Sequence, residues 1–140
     1  MAVNYQGKII TLWIVFLLGM LFHTQLGLMP LFHNESIVTS DTHGTGIAWI
    51  LWLMLSFFVV PMITIITTLF AGSRRYRQFH FGITIFYSIM NLLHVVSDLL
   101  VQPIAWYQIA LMIVLLLIGF LLNLVAFQWM QERPTSKLYQ

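Results

Sequence analysis

Residues 79–101 read FHFGITIFYSIMNLLHVVSDLLV, with Asp98 the one charged side chain among them. As an α-helix this run is about 34 Å long at 1.5 Å per residue, enough to cross a hydrocarbon core of about 30 Å. Its polar residues are ordered. His80, Thr84, Tyr87, Asn91, His94 and Asp98 follow one another at steps of four, three, four, three and four, which keeps all six on one helical face. Ser88 lies beside that stripe and Ser97 off it, and most of the remainder is Phe, Ile, Leu, Val and Met. Without water, an unsatisfied polar group costs several kcal/mol, so the stripe must turn toward other helices. This run therefore predicts a bundle.

Three further runs supply partners: 9–28, 47–71 and 104–130, each near or above the roughly 20 apolar residues a crossing needs. The connections at 72–78 and around Gln102-Pro103 are short, and 29–46 is the longest. Short connections force antiparallel neighbours. The expected fold is all-α: one domain over 1–140, an up-down-up-down bundle of four transmembrane helices. Pro103 is suited to open the fourth helix at its first position. Pro61 falls inside the second helix, where it frees a carbonyl that Ser56 or a neighbouring helix must satisfy. Asn123 and Gln128 in the fourth helix are expected to hydrogen-bond across the bundle.

Composition agrees. The chain of 140 residues is 60% hydrophobic and 7% charged, with a mean hydropathy of +0.91. A soluble domain carries roughly 25% charged residues, so too few are present here to cover a surface facing water. The first run is longer than the roughly 7–15 residues of a signal-peptide core, and it reads as a retained anchor. The absence of Cys excludes disulfides, thiolate metal sites, iron–sulfur clusters and Cys nucleophiles. No Ser-His-Asp order, phosphate-binding Gly-rich loop or paired carboxylates suggest hydrolytic chemistry, and nothing suggests nucleic acid.

All six basic residues, Lys8, Arg74, Arg75, Arg77, Arg133 and Lys137, fall on one side of the expected bundle. The positive-inside rule makes that side cytoplasmic, with both termini, and puts 29–46 and 99–103 on the other side. Trp13, Trp49, Trp52, Trp106 and Trp129 fall near helix ends, where interfacial anchors are expected.

Thr, Ser, Tyr and Asn on the stripe need no role beyond interhelical hydrogen bonding, worth about 0.6 kcal/mol each on average. His and Asp differ, because ionisable residues within a membrane segment are rare and mark functional sites. His94 is seventeen residues from Arg77, and His23 is fifteen from Lys8, so the two share a depth in the outer part of the bundle. If helices one and three are neighbours, His23 and His94 would face one gap, the minimum arrangement for a single b-type haem in an electron-transfer role. Asn91 or Asp98 would orient a ring from behind. His80 and His94, with thirteen residues between them, resemble in spacing the paired haem-ligand histidines on single helices of cytochrome b. That pattern has a matching pair on a second helix, and here helix one has no His in its inner half.

Two other uses of these residues stand beside the haem. A divalent transition metal would accept three or four of His23, His33, His43, His94 and Asp98. The stripe would also serve, lengthwise, as a relay translocating protons or metal ions. An alternative of another class is a non-catalytic accessory or assembly subunit, its stripe packed against other membrane protein subunits in the lipid bilayer.

Overall fold

The computed structural model describes residues 4–34 and 47–132. Among them the protein is all-helical and without strands: α1 Tyr5–Leu28, a short 3-10 helix Met29–His33, α2 Ile47–Phe70, α3 Arg74–Leu100 and α4 Trp106–Gln131. Each of the four α-helices is long and apolar enough to cross a membrane.

Two helices start earlier than the hydropathy pattern suggests, each because of a cap. Asn4 accepts from the Gly7 N–H at 2.9 Å and opens α1. Ser73 accepts from the Tyr76 N–H at 3.3 Å and opens α3 at Arg74, five residues before the apolar run. A polar N-cap side chain satisfies an N–H group that the first turn otherwise leaves free. Arg74, Arg75 and Arg77 therefore occupy the first turn of α3 and not a loop. Pro103 does not open α4. Residues 101–105 are taken up in reversing the chain, and the helix begins at Trp106 behind Ala105.

Successive helices run in alternating directions, as the contacts between their ends require. Gln6 of α1 donates to the Thr68 carbonyl near the end of α2 at 2.9 Å. Arg77 of α3 donates to the Trp129 carbonyl near the end of α4 at 3.0 Å. At the other end, His23 of α1 meets His94 of α3 with ring centroids 5.4 Å apart. Close backbone packing is unequal. α4 packs most intimately against α3 and α1, whereas α2 approaches only α1 closely. Two glycines permit the tight contacts. A Cβ on Gly119 would stand 3.0 Å from the Ser88 Oγ, and one on Gly19 would collide with a methyl of Leu115. Such small residues let helix backbones approach where no solvent drives them together.

The core runs the length of this packed trio: Ile9, Trp13 and Phe16 of α1, Tyr87 and Val95 of α3, and Met112, Leu115, Leu122 and Trp129 of α4. Between these lie His80, Thr84, Ser88 and Asn91, all buried. The polar stripe thus turns inward along most of its length. Large apolar side chains cover the outside, including most of α2.

α2 is fastened to α3 by hydroxyls. The Tyr76 hydroxyl donates to the Thr64 carbonyl at 3.0 Å and lies within hydrogen-bond distance of the Thr67 and Thr68 hydroxyls. The Tyr87 hydroxyl donates to the Phe57 carbonyl at 3.0 Å. Phe57 stands four residues before Pro61, so its carbonyl is the one the proline cannot serve. Ser56 is not the donor; its hydroxyl bonds the Trp52 carbonyl at 2.9 Å.

Candidate functional site

The stripe on α3 divides into two halves with different surroundings. In the half nearer Arg77, His80 is completely buried and its Nε2 accepts from the Trp13 Nε1–H at 3.1 Å. The rings of Trp13, Tyr76 and Trp129 enclose it at centroid distances of 6.3, 6.1 and 5.7 Å. Arg77 lies 5.3 Å over the Trp129 ring and donates to the carbonyls of Gly72, Trp129 and Glu132. Trp13 and Trp129 are therefore core residues and not interfacial anchors. The hydrogen bond to His80 and the stacking under Arg77 hold them inside. Trp49, Trp52 and Trp106 stand exposed.

The middle of the stripe is consumed by packing. Thr84 donates to the Phe81 carbonyl at 2.8 Å, Ser88 to the Thr84 carbonyl at 3.1 Å, and Tyr87 to α2. Asn123 of α4 donates from Nδ2 to the Ser88 Oγ at 2.9 Å, an expected bond across the bundle, whereas Gln128, expected to do the same, is exposed. Among the described residues, no hydrogen bond joins one side chain of the His80-to-Asp98 stripe to the next.

The far half is different. His23, near the end of α1, brings its Nε2 to 3.8 Å from the Asp98 Oδ2, and His94 brings its Nε2 to 3.5 Å from the same oxygen. One ligand atom from each of the three residues lies within 4.8 Å of the other two. The two rings meet edge to face at an interplanar angle of 80°. Helix geometry explains the convergence. His94 and Asp98 are four residues apart on α3, hence stacked on one face, while α1 runs parallel to α3 and delivers His23 at the same level. A tetrahedral ion with bonds of about 2.0–2.1 Å spaces its ligand atoms about 3.3 Å apart. The two approaches to Asp98 lie within about half an ångström of that spacing. The site is asymmetric in access: the side chain of His94 is 53% exposed, those of His23 and Asp98 only 17% and 23%.

Most of the buried polar side-chain atoms without partners lie here, with the His80 Nδ1 and the Asn123 Oδ1 the others among the described residues. The Asp98 Oδ2, the His23 Nδ1 and both amide atoms of Asn91 are buried and make no hydrogen bond. Buried polar groups are nearly always paired, so such a concentration calls for an explanation. Asn91 faces a cavity of about 210 Å³ that His23, His94 and Thr24 also line. Its remaining wall is apolar and includes Met20, Met54, Met90 and Met112.

Not every expected ligand joins the cluster. His33 closes the 3-10 helix and is exposed. It lies ten residues beyond His23, about 17 Å further along by helical rise, too far to share an ion with it. His43 lies outside the described residues. His80 is likewise apart from the cluster, about 21 Å from His94 along the helix. The partnership of Trp13 with His80 and the four methionines around the cavity are additions that only the folded chain supplies. No protein family, curated protein or solved structure matches the chain.

Proposed function

We propose that this is a small integral membrane protein that holds a transition-metal ion through His23, His94 and Asp98. The positive-inside rule puts that site in the half of the bundle toward the non-cytoplasmic side. The observation that carries this reading is the convergence of three ligand atoms from two helices within 4.8 Å of one another. Imidazole and carboxylate are the donors a transition metal accepts when no thiolate is present. Ionisable groups drawn into a membrane segment are expected to have such a role.

An ion suits the site better than a haem. Three atoms so close together enclose room for a single ion, and the adjoining cavity of about 210 Å³ is smaller than the roughly 300–1,000 Å³ of sites that take small organic molecules. The ion also answers the Asp98 Oδ2, which is buried and makes no hydrogen bond, because buried polar atoms are nearly always given a partner.

The test is metal analysis of the purified chain in mild detergent, together with an absorption spectrum from about 350 to 700 nm, after growth with metal and haem supplied. About one metal per chain, lost in His23→Ala, His94→Ala and Asp98→Asn but retained in His80→Ala, is the expected result. A Soret band lost with either histidine would replace the ion by a haem. A folded, colourless protein that takes up no metal would overturn both and leave an accessory subunit whose stripe serves packing.

A further inference from the structure

The metal site adjoins a wall of thioethers. Four of the eight methionines line the cavity of about 210 Å³, one from each helix: Met20 of α1, Met54 of α2, Met90 of α3 and Met112 of α4. His23 and His94 line the same cavity. Met20 precedes His23 by three residues and Met90 precedes His94 by four, so each imidazole has a thioether one helical turn away on its own face. Methionine often serves merely to fill irregular gaps in a core. These four surround a space that they leave open.

Charge points the same way as softness. Asp98 is the single carboxylate at this end of the bundle among the described residues; Glu132 lies at the other end, bonded to Arg77. A monovalent cation bound by imidazoles, thioethers and one carboxylate gives a neutral site. A divalent ion with the same donors leaves a net positive charge in surroundings where uncompensated charge is costly. Thioether donors select Cu(I) among the biological transition metals.

We propose that the ion held here is Cu(I), bound by His23 and His94 with thioether sulfur from Met20 and Met90, and with Asp98 balancing its charge. This rests on the metal-site reading and narrows it to one chemical class of ion. Met54 of α2 and Met112 of α4 complete a soft lining from which the ion can exchange.

The experiment uses the full chain in detergent under reducing, anaerobic conditions. Cu(I) is presented from a chromophoric Cu(I) chelator, Ag(I) serves as a redox-inert probe of the same softness, and Zn(II) is titrated separately. Wild type is expected to take one Cu(I) or Ag(I) per chain and to bind Zn(II) more weakly. Met20→Leu with Met90→Leu conserves volume, so the fold is retained. It is expected to weaken Cu(I) binding at least tenfold while changing Zn(II) binding less than threefold. X-ray absorption of the copper-loaded wild type, which needs no variant, is expected to show sulfur among the nearest neighbours. Copper bound with nitrogen and oxygen alone, and unaffected by the double leucine change, would overturn the Cu(I)–thioether proposal and leave the His–Asp metal site standing. Binding of Zn(II) in preference to Cu(I) would do the same. Failure to bind any of the three ions would overturn both.

Discussion

The Tyr87 hydroxyl on α3 donates at 3.0 Å to the Phe57 carbonyl on α2, the carbonyl that Pro61 leaves without its helical donor. The bond repairs a break within one helix from its neighbour, and it ties down the helix that is otherwise least closely packed.

Tyr87→Phe should therefore destabilise the bundle by about 1 kcal/mol, above the average of about 0.6 and below the maximum of about 1.7 for interhelical bonds in membranes. Pro61→Ala restores a backbone donor to Phe57. In that background Tyr87→Phe should cost much less, a coupling that a double-mutant cycle of unfolding in mixed detergent measures. Strictly additive effects would show that the two groups do not share this carbonyl.

Trp13→Phe leaves the buried His80 Nε2 without its donor. The expected loss is about 1–3 kcal/mol of stability, the cost of an unsatisfied buried acceptor. Metal content should stay unchanged, because His80 and His94 are about 21 Å apart along α3. Loss of metal in a folded Trp13→Phe protein would mean that the two halves of the bundle act together.

An ion that binds the folded bundle and not the unfolded chain raises stability by mass action, by about 2.7 kcal/mol at a hundred times its Kd. A bound transition metal should raise Tm by several degrees, and a chelator should reverse the rise. Asp98→Asn keeps the shape and removes the charge, so most of the rise should disappear. A Tm indifferent to added metal in wild type would count against the site.

Sidedness is accessible because the chain has no cysteine to remove. Cysteine at Gly72, where a Cβ meets nothing within 4 Å, should react with an impermeant thiol reagent only after the cells are opened. Cysteine at Gln102, exposed at the other end, should react in intact cells. The reverse pattern would invert the orientation inferred from Lys8 and the arginines.

Four long apolar runs and the step pattern from His80 to Asp98 are properties of the chain by itself. Hydropathy and helical periodicity act over a few neighbouring residues, so the all-helical architecture and the inward turn of most of the stripe could be read without coordinates. The same holds for the common level of His23 and His94, which counting from Lys8 and Arg77 supplies. What the chain did not disclose depends on how helices sit against one another. The seating of Trp13 and Trp129 in the core, the repair of Pro61 by Tyr87, and the exclusion of His33 from the cluster are examples. So is the gathering of Met20, Met54, Met90 and Met112 around one space, since these residues are separated by up to 92 positions in sequence. In apolar surroundings most side chains are equally content on either face of a helix, so hydropathy leaves each helix's rotation about its axis open. That rotation was decided by the close approaches at Gly19 and Gly119 and by the few polar groups that needed partners.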